Sequence, residues 1–363
     1  MKTKLILAGG FLGAGKTTLL YEAAKELIAE GHKTGLITND QAADLVDTVY
    51  LSKTGAGIEE VSGSCFCCNF PGFAEAIQAL RENGAKYIIA EPVGSCTDLS
   101  ATILQPLKDK YADQLELSPF TVLIDPKRLK EILAGRNSGL AESGAYIIRK
   151  QLEEADVIAI NKADTLTEAE AELLLGETRK TYPGAEVMTI SAKTEGGAAA
   201  WLAYEKASAE TGKSLAKVDY DTYAEGEAVL GWLNATIELT AEDAPDWNHY
   251  ADTLLTKFLS RFKEEKAAIG HVKLLLDAPD HFIMGNLTGS KEAISVRGTA
   301  SEEKNVVMTL NARVQTSPER LEEMIREEIA VTDAATDTNG KILRLRCLMP
   351  GRPNPTYHYE KVI

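Results

Sequence analysis

An α/β domain built on a mostly parallel sheet, followed by a smaller α+β domain, is the architecture this sequence predicts. Three observations carry that reading. A short apolar strand, Leu5 to Ala8, runs into a glycine-rich turn and then a helix with Leu19, Leu20, Ala23 and Leu27 at helical spacing. Strands and helices then alternate to about residue 200, the order of βαβ units with a parallel sheet. Beyond about residue 228 the order changes to strands mixed with two amphipathic helices, the pattern of helices on one face of an antiparallel sheet. The predicted domains are residues 1–202 and 228–363. A polar stretch at 203–227, with Lys217-Val218-Asp219-Tyr220-Asp221, is expected as the linker.

The first turn is Gly10-Phe11-Leu12-Gly13-Ala14-Gly15-Lys16-Thr17, followed by Thr18. It is a phosphate-binding loop, so the first domain is predicted to be a P-loop NTPase fold. Gly10, Gly13 and Gly15 let the backbone curl around phosphate oxygens, with Ala14 and Thr18 completing the cradle at the helix N-terminus. Lys16 is expected on the β and γ phosphates and the Thr17 hydroxyl on Mg²⁺. The run continues into a charged helix that stops at Gly31 and has no small-residue cleavage site, which argues against a secretory signal.

The second strand, Thr34 to Thr38, ends in Asn39-Asp40 at the edge of the sheet where ligands gather. Asp40 is a candidate ligand of Mg²⁺ or of a second metal, with an exposed turn or helix-cap aspartate as the alternative. Residues 41–60 are polar and glycine-containing. They lead to Cys65-Phe66-Cys67-Cys68, whose closely spaced thiols can give Cys65, Cys67 and Cys68 as thiolates to one soft ion such as Zn²⁺ or Co²⁺. A redox site and a buried structural cluster are the alternatives.

A helix over about 71–83 precedes the strand Tyr87 to Ala90, which delivers Glu91-Pro92-Val93-Gly94 to the same sheet edge. Glu91 is expected to hold the Mg²⁺ shell or orient the attacking water, and the Gly94 N–H to approach a γ-phosphate, so Lys16, Glu91 and Gly94 are the catalytic candidates. Cys96 is either a fourth thiolate or a small buried residue. The strand Phe120 to Ile124 leads to a helix near Pro126, and a further helix over 146–154 leads to the strand Val157 to Ile160. That strand ends in Asn161-Lys162-Ala163-Asp164. The Asp164 carboxylate can accept from N1 and N2 of guanine, a pair adenine lacks. Lys162 would stack its stem on the ring and Asn161 would brace neighbouring loops. Ser191, Ala192 and Lys193, after the strand Val187 to Ile190, would present backbone N–H groups to the guanine oxygen. GTP or GDP is therefore the expected nucleotide.

In the second domain the expected strands are 228–239, 271–276, 282–287, 306–314 and 342–347. One helix carries Leu254, Leu255, Phe258, Leu259 and Phe262 on a face, and another is capped by Ser317 with Pro318 in its first turn. These apolar stripes read as core, and no chemistry is assigned to them.

Composition bounds the rest. The chain has 363 residues, 44% apolar and 26% charged, with 39 basic against 54 acidic residues and a net charge of −15. That balance opposes non-specific binding to nucleic acid or anionic lipid. No apolar run approaches the roughly 20 residues that span a bilayer, so no membrane role is expected. Five cysteines in a long chain fit a reducing, cytoplasmic compartment, where clustered thiols serve as metal ligands or reactive groups more often than as disulfides.

In this order, Gly10–Thr18, Cys65–Cys68, Glu91–Gly94, Asn161–Asp164 and Ser191–Lys193 resemble the CobW family of P-loop GTPases, relatives of HypB and UreG. The resemblance covers about residues 1–200, and Cys-x-Cys-Cys is its specific part. It implies slow GTP hydrolysis coupled to handling of a transition metal, with a client metalloenzyme or a corrinoid protein as partner. The alternatives are an activation factor for a cobalamin-dependent enzyme and a non-catalytic nucleotide and metal switch. Asp40 stands where many members carry Glu, and Glu91 is followed by Pro. The histidines are scattered at 32, 249, 271, 281 and 358, so no histidine-rich metal reservoir is expected.

Overall fold

The strand Thr3–Gly9 (β1) is buried along its whole length and forms the middle of an all-parallel sheet. The computed structural model describes residues 2–243, 245–279, 281–289, 294–300 and 303–363. Around β1 lie Thr34–Asp40 (β2), Gly57–Ser62 (β3), Tyr87–Glu91 (β4), Leu115–Leu117 (β5), Thr121–Ile124 (β6), Val157–Ile160 (β7) and Glu186–Thr189 (β8). Their order is β3-β2-β4-β1-β6-β7-β8, with β5 paired to β1. Both faces are covered by helices, so β1, β2, β4, β6 and β7 are continuous buried runs rather than alternating ones. All strands being parallel, their carboxyl ends share one edge. Gly10, Asp40, Glu91 and Asn161 begin or lie at those ends.

Two elements occupy the polar stretch 41–60. One is a helix, Val46–Ser52, and the other is β3. β3 is an edge strand of sequence Gly-Ile-Glu-Glu-Val-Ser with only Val61 buried, so it lacks the apolar run that marks its neighbours. Helices Ala199–Ala207 and Tyr220–Ala228 likewise occupy parts of 203–227.

The chain divides into two compact units. The first runs to Gln41 and also takes Leu51–Gly226 and Arg352–Ile363; the second takes Ala42–Tyr50 and Glu227–Gly351. The returns of 42–50 and of 352–363 are topological and carry no compositional mark.

The second unit is an antiparallel sheet of Gly231–Ala241 (β9), Ile269–Asp277 (β10), Phe282–Thr288 (β11), Ile294–Gly298 (β12), Asn305–Val314 (β13) and Thr338–Leu348 (β14), in the order β12-β11-β10-β13-β9-β14. Helices Trp247–Glu264 and Pro318–Thr336 cover one face. Tyr250, Leu254, Phe258 and Phe262 from the first, and Leu321, Met324 and Ile325 from the second, pack with Leu274, Met308 and Leu310 of the strands. Ser317 caps the second helix by accepting from the Arg320 N–H at 3.2 Å. The 42–50 segment is tied into this unit by the Val46 N–H donating to Asn311 Oδ1 at 2.8 Å and by a Lys273–Asp47 ion pair at 2.7 Å. No helix among the described residues is long and apolar enough to cross a membrane.

Candidate functional site

The glycine-rich turn after β1 takes the backbone conformation its composition permits. Gly10, Gly13 and Gly15 have φ of 125°, 80° and 96°. Two of them also have no room for a side chain: a Cβ on Gly10 would stand 2.2 Å from the Leu123 carbonyl oxygen, and one on Gly15 would stand 2.3 Å from Asn161 Nδ2. The helix Lys16–Ala29 follows directly, so its N-terminus points out of this turn. Lys16 and Thr17 are both buried, at the start of that helix.

Glu91, the last residue of β4, stands against them. Thr17 Oγ1 donates to Glu91 Oε1 at 3.2 Å, and Lys16 Nζ lies 3.6 Å from the same oxygen. A hydroxyl and a carboxylate side by side are hard oxygen donors of the kind Mg²⁺ takes, so Thr17 and Glu91 fit that ion. Gly94 also presses on the loop: a Cβ there would meet Leu12 Cδ2 at 2.6 Å and Lys16 Nζ at 3.2 Å. Asp40 ends β2 and is buried, but it is not among the side chains clustered tightly enough to share an ion with the thiols.

At the other end of the edge, Asn161 joins two loops. Its Nδ2 donates to the Ala14 carbonyl at 2.8 Å, and its Oδ1 accepts the Ala192 N–H at 2.9 Å. Ser191 Oγ donates to Asp164 Oδ1 at 2.6 Å, bringing the 161–164 and 191–193 segments together. Lys193 is exposed on the same loop. Lys162 has φ 62° and pairs through Nζ with Asp125 Oδ2 at 2.8 Å. Burial alone would raise the Asp125 carboxyl, but the Lys162 ammonium and the N–H groups of Arg128 and Lys127 hold it below its usual range. Asp125 was not singled out from sequence. Its mark there is modest: an aspartate before Pro126 at the end of β6, where it caps the following helix.

The thiols lie in a tight turn after β3. The Cys68 and Asn69 N–H groups both donate to the Cys65 carbonyl, at 3.1 and 2.9 Å. Asn69 then caps the helix Phe70–Glu82 by accepting from Gly72 N–H. Phe66 points inward and stacks on Phe73 with centroids 4.1 Å apart, which turns the flanking cysteines together. Cys65 and Cys67 sulfurs are 3.0 Å apart and Cys67 and Cys68 sulfurs 3.8 Å apart, and all three lie within 4.8 Å of one another. Tetrahedral sulfur ligands about 2.3 Å from Zn²⁺ stand roughly 3.8 Å apart, so the donor set and its spacing fit a soft divalent ion. Hydrogen bonds from Cys67, then Cys68 and Cys96, hold the Cys65 thiol well below the ordinary thiol range. As the donor to Cys65, Cys67 is pushed well above that range, and Cys68 is pushed up to about 11 chiefly by its bond to Cys65.

Two further parts of this site escaped the sequence reading. Asn39, next to Asp40, donates through Nδ2 to the Val61 and Ser64 carbonyls, both at 2.7 Å, and its Oδ1 accepts the Phe66 N–H at 2.9 Å. It thus pins the cysteine turn to the end of β2. The 352–363 segment crosses the turn: Asn354 N–H donates to Cys68 Sγ at 3.2 Å, Thr356 N–H donates to the Cys67 carbonyl at 2.8 Å, and Tyr357 packs edge-on against Phe70. Asparagine at a strand end is a faint signal. A contact across some 290 residues of sequence leaves none.

Residues 4–189 match the family model described as CobW/HypB/UreG, nucleotide-binding domain. The zinc chaperone YeiR of Escherichia coli K12 is 27% identical over 172 residues, which are 46% of this chain and 48% of that protein. The match therefore spans about half the length of that relative. Among solved structures, HypB from Helicobacter pylori in complex with nickel is 17% identical, covering 56% of this chain and 85% of its own, with a TM-score of 0.40. Zn(II)-bound YjiA GTPase from E. coli is 18% identical, covering 92% of this chain and 99% of its own, with a TM-score of 0.39.

Proposed function

Since the chain belongs to the CobW/HypB/UreG family of P-loop GTPases, we propose that it binds and slowly hydrolyses GTP and that its nucleotide state governs a transition metal held on Cys65, Cys67 and Cys68 for delivery to a client metalloenzyme. One observation supports this above the others. The thiol turn and the phosphate loop meet adjacent strand ends, with Asn39 of β2 holding the first and Glu91 of β4 touching the second. β2 and β4 are hydrogen-bonded neighbours. A displacement of either strand end is therefore felt at both places.

Each residue then has a stated task. The backbone of Gly10 to Thr18 cradles the phosphates, and Lys16 supplies the cation at the β and γ phosphates. Thr17 and Glu91 hold Mg²⁺, which neutralises charge on the phosphates when bound; Asp40 is a further candidate for its shell. Glu91 also orients the attacking water, and the Gly94 N–H faces the γ-phosphate. Asp164 selects guanine, Lys162 covers the ring, and Ser191, Ala192 and Lys193 close over it. Zn²⁺ and Co²⁺ both suit three thiolates, and the similarity to a zinc chaperone favours Zn²⁺ as cargo.

GTP turnover and metal stoichiometry test the reading together. Lys16→Ala is expected to lose GTP binding or hydrolysis nearly completely. The triple Cys65, Cys67, Cys68→Ser protein is expected to keep nucleotide binding and lose the bound ion. Unchanged turnover in the first, or unchanged stoichiometry in the second, overturns the corresponding half.

A further inference from the structure

We propose that Cys96 is the fourth sulfur of the thiol site, and that it ties that site to the phosphate loop through the turn that carries Gly94. This rests on the reading of Cys65, Cys67 and Cys68 as metal ligands and deepens it. Cys96 lies about 30 residues beyond the Cys-x-Cys-Cys turn, on a different strand end. It is 1% exposed, and its side chain is nonetheless a hydrogen-bond partner of both Cys65 and Cys67. A small buried residue filling a core position has no need to meet two other thiols there. Cys96 thus brings a thiol from a second loop against two of the three in the turn, and four thiolates are the donor set of a closed tetrahedral site for a soft divalent ion. Three thiolates alone would leave one position open to water or to an exchanging ligand.

The same short turn reaches the nucleotide side. Glu91 meets Thr17, and a Cβ on Gly94 would stand 3.2 Å from both the Leu12 nitrogen and Lys16 Nζ. Two residues later comes Cys96, whose N–H closes the turn on the Val93 carbonyl at 2.9 Å. Gln151, itself 1% exposed, clamps both ends from the neighbouring helix: its Nε2 donates to the Gly94 carbonyl at 3.0 Å and to the Cys96 carbonyl at 2.8 Å. Gly94 and Cys96 are thus held as one piece. A shift of Gly94 against the phosphate loop is carried to the Cys96 thiol, so the fourth position can be closed or open according to what the loop holds. That is the behaviour a carrier requires, since a metal in a permanently closed four-thiolate site exchanges poorly and one in an open site is poorly retained.

Co²⁺ titration of the full chain under anaerobic, reducing conditions is the test, comparing wild type with Cys96→Ser. Cys96→Ser is expected to lose about one quarter of the thiolate-to-cobalt charge-transfer intensity and to bind Co²⁺ and Zn²⁺ at least about tenfold more weakly, with GTP affinity retained as the check on folding. Gln151→Ala should keep the full charge-transfer intensity and narrow the difference in Zn²⁺ affinity between the GTP-analogue and GDP states. Wild-type intensity and affinity in Cys96→Ser overturn the proposal. If Cys65, Cys67, Cys68→Ser abolishes binding in the same experiment, the three-cysteine reading stands without Cys96; if it does not, that reading itself fails.

Discussion

Asn39 Oδ1 accepts the Phe66 N–H at 2.9 Å, which fastens the cysteine turn to the end of the strand beside β4. The amide's other end holds two carbonyls of the segment leading into the turn. Asn39→Ala removes all three bonds and leaves buried groups to find other partners. The expected cost is about 1–3 kcal/mol of stability, read by urea unfolding, with weaker Zn²⁺ binding at unchanged thiol count. Asn39→Asp keeps the acceptor but loses the donors, so it should fall between wild type and alanine on both measures.

Base choice is tested at Asp164. Ser191 Oγ donates to its Oδ1 at 2.6 Å, and on the proposed reading the carboxylate meets the guanine edge. Loss of a charge-assisted bidentate contact should cost roughly 1.5–3 kcal/mol, or about 10 to 100-fold in GTP affinity. Asp164→Asn should shift preference toward xanthosine triphosphate, measured by competition binding. Equal affinity of the wild type for ATP and GTP would contradict the assignment.

The parts of the fold and the site differ in how legible they are in the sequence. The phosphate loop, the Asn161 to Asp164 run and the cysteine turn depend on residues close in sequence, because one strand-to-helix turn supplies each. The parallel sheet was legible for a similar reason, since a strand buried on both faces is a plain apolar run. β3 was not, because an edge strand with one buried residue needs no such run. Asn39, Asp125 and Gln151 act through bonds made across loops, and an isolated polar residue looks the same in sequence whether it braces a site or faces water. The 352–363 segment over Cys68, and the packing of 42–50 into the second unit, depend on chain path alone.

Glu205 offers a pH-dependent check on the first unit's core. It is wholly buried in the helix Ala199–Ala207, and Thr121 Oγ1 of β6 donates to its Oε1 at 2.5 Å. Burial pushes its carboxyl up to about 8 from an ordinary value of 4.5. A folded-state value above the unfolded one means that the neutral acid's contribution is fully present below about 4.5 and is lost as pH rises through about 8. Glu205→Gln should flatten the stability profile across that window, removing a slope of at most about 1.4 kcal/mol per pH unit. Urea unfolding at pH 5, 6.5 and 8 reads this, and parallel profiles for wild type and variant would contradict it.

The segment crossing the thiols should protect them. Asn354 N–H on Cys68 Sγ and Thr356 on the Cys67 and Cys68 carbonyls place backbone over the only partly exposed thiol of the turn. Shortening the chain at residue 351 should accelerate alkylation of Cys68 at least about tenfold, followed by mass spectrometry of the labelled peptide. An unchanged rate would show that the segment does not limit access.

Coupling between nucleotide and metal is the central claim, and paired titrations measure it directly. Zn²⁺ affinity is determined with the protein saturated by a non-hydrolysable GTP analogue and again by GDP, followed by the reciprocal nucleotide titrations with and without Zn²⁺. Linkage requires the two ratios to agree, and a coupling of about 1–3 kcal/mol corresponds to roughly 5 to 150-fold. A difference in that range, equal in both directions, is the predicted result. Zn²⁺ affinities equal within about twofold in the two nucleotide states would contradict it and leave the cysteine site a passive one.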